Sequence, residues 1–309
     1  MIQKLSNIKG IVLLVIILFT VDSGYSQQDP QYTQYMYNTM SVNPGYAGQR
    51  ETLSITGLYR TQWVGLDGAP KTQTFGIHTP LRNDRIGLGL SVVNDGLGPA
   101  DELYVDGNFS YTIPLDRFYT KLSFGVKAGF HNLKVDWSKG RFRDPDAVFN
   151  ENVSRFSPTV GAGIYLHNRQ GYIGFSVPNI LTTKHYNDFQ ESLADERLHY
   201  YLIGGYVFDL SYTTQFKPAA LVKAVSGAPI VFDVSANFLF NEKFTLGVAY
   251  RWNDAISGLA GFQISESLYI GYAYDANTSN LNNYNSGSHE IMLRFELQKL
   301  NRILSPRFF

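Results

Sequence analysis

The residues that could do chemistry are few, and their spacing does not suit it. Six histidines, at 78, 131, 167, 185, 199 and 289, form no H-x-x-x-H or comparable short ligand pattern, so no metal centre is expected. A serine nucleophile would call for a G-x-S-x-G elbow. The nearest string, GFSVP from Gly174, sits in a strand-like stretch and ends in proline. The glycines of RIGLGLSVVNDGLG, from Arg85, lack the following helix that a nucleotide fingerprint needs. Gly87 and Gly89 read instead as small residues on a wall, and Asn94-Asp95-Gly96 as a turn. Asp144, Asp146 and Glu151 share one long loop, where the D-P-D spacing is not that of an EF-hand and a solvated surface is the expected role. Cysteine is absent, which removes disulfides, thiol catalysis and the residue a lipid anchor would use. The chain is therefore expected to be no enzyme and to carry no cofactor.

Something must nonetheless be positioned, and the elements that would do it are strands. Hydrophobicity alternates with a period of two over most of the chain. In IVFDVSANFLF, Ile230, Phe232, Val234, Ala236, Phe238 and Phe240 share one face, opposite Asp233, Ser235 and Asn237. Phe244, Leu246, Val248, Tyr250 and Trp252 stand likewise opposite Thr245, Gly247, Ala249 and Arg251. About 14 such segments can be counted, and many have the 10 to 12 residues that a tilted strand needs to cross an outer membrane. The long connections, Lys134 to Arg155, Pro178 to Arg197 and Asp275 to Gly287, all follow odd-numbered segments, whereas HNRQ, FNEK and SES, after even-numbered ones, are tight. Long loops on one rim and short turns on the other predict an all-β fold, a transmembrane antiparallel β-barrel with long extracellular loops and short periplasmic turns. Aromatic girdles are expected from Tyr59, Trp63, Tyr119, Trp252, Tyr272 and Tyr274. Lys plus Arg equals Asp plus Glu at 26 each, and charged residues make up only 17%, which argues against a nucleic-acid partner.

The N-terminus divides in two. Residues 1–26 read as a signal peptide: Lys4 and Lys9, an apolar run from Ile11 to Phe19, then Gly24 and Ser26 as small residues before the cleavage point. Residues 27–51 contain QDPQYTQYMYNTMSVNPGYAG, with four tyrosines, three glutamines, two methionines and one charge, Asp29. An even strand count returns both ends of the barrel, residues 52–298, to the periplasmic side. The 27–51 segment is thus expected in the periplasm or folded into the barrel mouth, on the same side as the 299–309 tail. Its composition suits packing on a polar wall, so 28–40 should be ordered and at least half buried.

Several stretches resemble the PorP/SprF family associated with type IX secretion and gliding motility. They are QDPQYTQYMYNTMSVNPGYAG, YRTQWVGLDGAPKTQTFGIHTPL from Tyr59, RIGLGLSVVNDGLGP from Arg85, YTIPLDRFYTKLSFGVKAGF, SHEIMLRFEL and the terminal SPRFF. The resemblance covers essentially the whole mature chain, and implies an outer-membrane barrel that binds, anchors or helps export a secreted adhesin-type protein bearing a C-terminal sorting domain, alongside secretion or motility components. It carries over Asn43, Pro44, Gly48, Arg60, Gln62, Trp63, Ser305, Pro306, Arg307 and Phe309 as candidate contact residues. Where the family usually has N-P-A, this chain has Asn43-Pro44-Gly45. Each position also has a local use: Pro44-Gly45 as a turn into the first strand, Arg60 as a lumenal ion-pair partner, Trp63 as an interface anchor. The rival function is an outer-membrane transport barrel for small hydrophobic solutes, which would need a continuous lumen lined by small or apolar side chains.

Overall fold

A computed structural model describes residues 30–82, 84–116, 120–139, 152–181, 198–226 and 228–297. The alternating stretches form fourteen antiparallel strands: β1 (Ser54–Thr61), β2 (Lys71–Pro80), β3 (Ile86–Leu97), β4 (Ala100–Pro114), β5 (Lys121–Val135), β6 (Val153–His167), β7 (Gly171–Val177), β8 (His199–Tyr206, resuming at Phe208–Asp209), β9 (Thr214–Val225), β10 (Val231–Phe240), β11 (Phe244–Arg251), β12 (Ala255–Gln263), β13 (Leu268–Asn277) and β14 (Ser288–Glu296). Each pairs with its neighbours in sequence, and β1 pairs with β14 from Ser54↔Glu296 to Thr61↔His289. The sheet therefore closes on itself, which is how strands cross lipid without leaving open edges.

The two faces explain the alternation. Large apolar side chains point outward and stay exposed, among them Val126 at 54%, Ile173 at 51% and Leu293 at 48%, while buried polar residues such as Thr72, Ser110, Ser123 and Asn237 point inward. This inverts the pattern of a water-soluble barrel and suits an apolar belt against lipid. Tyr59, Trp252, Tyr272 and Tyr274 lie on the outer face, as expected for girdles; Trp63 is half-buried in the loop after β1, and Tyr119 lies outside the described residues.

Two local interruptions have physical causes. The β8 ladder lapses at Val207 without a change of register, Gly205 facing Ala219 and Phe208 facing Phe216 on either side. Pro218, opposite this break, has no N–H to give the ladder. The second corrects the turn expected at Asn94-Asp95-Gly96. These residues continue β3, pairing in turn with Leu103, Glu102 and Asp101 on β4. Asp95 accepts a hydrogen bond from Thr72 across the sheet, and Gly98 (φ 58) with Pro99 makes the reversal instead. By contrast FNEK is a tight turn as expected, with Asn241 and Glu242 both at positive φ (51 and 54), the type I′ signature of a two-residue hairpin.

The connections follow the expected parity. Long ones come after β5, β7 and β13, and short ones after β6, β8, β10 and β12, so the barrel has a long-loop rim and a short-turn rim. β4, β5 and β6 have 15 residues each, more than the roughly 9 to 11 that span a membrane, so the wall is tallest on that side.

Candidate functional site

The lumen is filled by the chain's own N-terminal segment. Pro30 and Gln31 are partly buried, and every residue from Tyr32 to Arg50 is buried except the intermediate Ser41. A single helical turn, α1 (Thr39–Val42), and a 3-10 turn at Pro44–Tyr46 give the segment its local shape. A segment this short cannot satisfy its own backbone by secondary structure, so the wall must supply partners.

The wall does so from one rim to the other. Near the long-loop rim, Thr33 N and Gln34 N donate to the two carboxylate oxygens of Glu290 at 3.0 and 2.8 Å, and Thr33 Oγ1 donates to Asp275 at 2.8 Å. Midway, Ser176 Oγ donates to Val42 O at 2.7 Å and Ser110 Oγ to Ala47 O at 2.6 Å. At the short-turn rim Gln49 Nε2 donates to Thr112 at 2.8 Å, its Oε1 lies 2.9 Å from His167 Nε2, and Arg50 is held bidentate by Glu296. Residues 30–40 are thus ordered and buried as the composition implied. They do not, however, stay in the mouth beside the C-terminal strand end: Thr33 and Gln34 lie at the opposite rim. The cause is the carboxylate pair near that rim, which takes the first amides of the segment.

Buried charges are tolerable only when paired and hydrogen-bonded. Arg60 lies 2.7 Å from Asp275 and 3.2 Å from Glu290, all three nearly inaccessible, and also donates to Thr33 Oγ1 at 3.0 Å. Arg251 pairs with Asp233 at 3.1 Å, and Lys127 with Asp106 at 2.7 Å. Tyr46 packs edge-on against Tyr165 and His78, with centroids 5.5 and 5.4 Å apart.

Wall glycines make room for the segment. A Cβ on Gly125 would fall 2.0 Å from Gly45 N, one on Gly87 2.1 Å from Ala47 O, one on Gly163 2.3 Å from Asn43 Oδ1 and one on Gly271 2.3 Å from Gln34 Oε1. The wall and the segment are shaped to one another. A cavity of about 60 Å³ lies toward the long-loop end, lined by Tyr32, Tyr104, Asp106, Lys127, Thr159 and Tyr201 among others.

The candidate residues separate accordingly. Asn43 is fully buried: its Oδ1 accepts from Gly45 N at 2.9 Å, and its Nδ2 donates to Ile164 O at 3.0 Å, on β6. Pro44 opens the 3-10 turn behind it. Gly48 has φ 73 and donates to His78 Nδ1 at 3.2 Å, and a side chain there would meet Gly87 Cα at 2.6 Å. Arg60 belongs to the lumenal ion cluster. Gln62 and Trp63 are partly exposed at the long-loop rim, where Trp63 N donates to Ser288 Oγ at 3.2 Å and Val64 N to Gly287 O at 2.9 Å. Ser305, Pro306, Arg307 and Phe309 lie outside the described residues, as do residues 1–29 and the carboxylates Asp144, Asp146 and Glu151. Sequence reasoning did not single out Thr33, Asp275 or Glu290. The only local signal of Asp275 and Glu290 is a charge on the polar face of a strand, and Thr33, a neutral residue of the lumenal segment, has none.

Solved structures similar to this chain include the outer-membrane protein Omp33 of Acinetobacter baumannii (10% identity, TM-score 0.43, covering 80% of this chain and 98% of that one), the CymD monoaromatic hydrocarbon channel (12%, 0.46, 87% and 94%) and the KdgM porin (9%, 0.36, 79% and 99%). No curated protein sequence matches the chain. The family model described as type IX secretion system membrane protein PorP/SprF matches residues 24–295, which takes in the lumenal segment and nearly the whole barrel, and the chain belongs to that family.

Proposed function

We propose that this type IX secretion outer-membrane protein acts by binding: it anchors or helps export a secreted protein bearing a C-terminal sorting domain, and its own signal segment, residues 1–26, is removed on the way to the membrane. The observation that carries this reading is the filled lumen. A barrel whose interior is occupied by Tyr32 to Arg50 and cross-linked by buried ion pairs offers its rims rather than a passage. Gln62 and Trp63 supply partly exposed contact positions on the long-loop rim, and the 299–309 tail, with Ser305, Pro306, Arg307 and Phe309, is assigned to secretion or motility components on the periplasmic side. Transport of small hydrophobic solutes is disfavoured because such a path would need an apolar lumen, and this one is crossed by charged pairs.

The test is gentle detergent purification of the tagged protein followed by mass spectrometry of what travels with it. One large secreted protein with a C-terminal sorting domain is expected. Recovery of motor-ring components alone would move the binding role to the periplasmic side. Solute flux through liposomes containing the barrel, with no secreted protein retained, would overturn the reading.

A further inference from the structure

The lumenal segment meets the wall in two groups that differ in their distance along the chain. Val42, Asn43, Ala47, Gly48 and Gln49 bond to β7, β6, β4, β2 and again β4, at separations of 30 to 134 residues. Thr33, Gln34 and Arg50 bond instead to Asp275, Glu290 and Glu296 on β13 and β14, at separations of 242 to 257 residues. The middle of the segment thus lies on the N-terminal half of the barrel, and the last two strands are held by its ends.

The topology gives the two groups an order. Each of β1 to β7 pairs with its neighbours in sequence, so this half of the wall, with Gly87, Gly125 and Gly163 shaped to the segment, can form hairpin by hairpin in a sheet that is still open. β14 meets β1, to which the segment is joined, only when the ring closes, the contact with the largest loop to pay for. Register matters at that seam. A slip of one residue would turn the carboxylates of Glu290 and Glu296 outward to lipid, which the alternation of apolar and polar faces already forbids. A slip of two keeps every face correct, so the alternation does not exclude it. It does move Glu290 by roughly 7 Å along the strand, away from the Thr33 and Gln34 amides, and Glu296 equally far from Arg50. The segment therefore grips β14 at both ends of the ladder, where Arg60 faces Glu290 and Ser54 faces Glu296.

We infer that the lumenal segment is the template on which the barrel closes. Residues 42–49 dock first on the open β2–β7 half; Glu290 and Glu296 then take Thr33, Gln34 and Arg50 as landing points, which brings β14 to β1 in the one register that satisfies both.

The test exploits the absence of cysteine, so that introduced pairs report alone. Tyr59→Cys with Ile291→Cys joins outward-facing partners of the native seam, and Tyr59→Cys with Leu293→Cys joins those of a two-residue slip. In the full chain refolding from urea into detergent, pulsed hydrogen exchange should show the Gly48 amide, bonded to His78, protected with a half-time about threefold shorter than that of the native cross-link. Equal half-times, or cross-linking first, would overturn the order. A second chain, lacking residues 30–37 and carrying Arg50→Gln, keeps the 42–49 dock but loses both landing points. Its Tyr59–Leu293 cross-link should rise about tenfold over that of the full chain. A seam that stays wholly in the native register there would overturn the template, and the half-times in the full chain decide the matter even if the shortened chain does not fold.

Discussion

Replacing Gly125 by alanine tests whether the wall and the lumenal segment are one packed unit. The added Cβ would lie 2.0 Å from Gly45 N and 2.3 Å from Pro44 C, backbone atoms that cannot rotate aside. Ordinary contact begins near 3.4 Å, so the segment must retreat by about 1.4 Å, the difference between 3.4 and 2.0 Å. A shift of that size stretches the bond from Asn43 Nδ2 to Ile164 O, now 3.0 Å, and that from Ser176 Oγ to Val42 O, now 2.7 Å, past useful length. Two such bonds at roughly 1 kcal/mol each, with overpacking of about 1 to 3 kcal/mol, give an expected loss of about 3 to 5 kcal/mol. The ladder bonds of β5 do not involve the segment, so the barrel should remain closed while the segment loosens. The assay is the thermal midpoint in detergent together with protease cleavage within residues 30–50. Gly57→Ala is the control, because its Cβ meets nothing within 4 Å. An unchanged midpoint and an uncut segment in Gly125→Ala would refute the claim that the wall is shaped to its occupant.

Three further outcomes follow from the same contacts. Arg60→Ala leaves Asp275 and Glu290 buried without their cation and should cost about 3 to 5 kcal/mol in thermal unfolding; adding Asp275→Asn and Glu290→Gln should recover part of the loss. Deleting residues 30–50 should open the lumen, so that liposomes swell with small sugars that the intact barrel does not pass. Gly45→Ala should cost about 1 to 3 kcal/mol, because its methyl would sit 3.1 to 3.2 Å from Asn43 Oδ1, Ser123 O and Tyr165 Cβ, a hydrogen-bonded amide, a backbone oxygen and a buried Cβ that cannot rotate aside; a fall in the thermal midpoint checks it.

The barrel was legible because each strand declares itself locally. A period of two with apolar residues on one face identifies IVFDVSANFLF as a wall segment without reference to anything distant, and the strand formed is Val231–Phe240. Loop lengths carry the parity of the rims in the same way. Asn94-Asp95-Gly96 misled because the dipeptide chemistry of a turn is present there, yet cross-strand pairing with β2 and β4, and the hydrogen bond from Thr72, outweigh it. A local propensity loses when a ladder on both sides can be completed by ignoring it.

By itself the sequence determined the fold class, the strand count, the distinction of the rims and the polar, tyrosine-rich character of a segment suited to packing on a polar wall. Only the tertiary structure decided the path of that segment, from the long-loop rim down to Arg50 at the other. The bonds that set the path join residues 242 to 257 positions apart, Thr33 to Asp275 and to Glu290, and no local pattern records such a pairing. The same holds for the wall glycines. Read along a strand, Gly125 and Gly163 are merely small residues; their purpose appears only when Gly45 and Asn43 are seen lying against them.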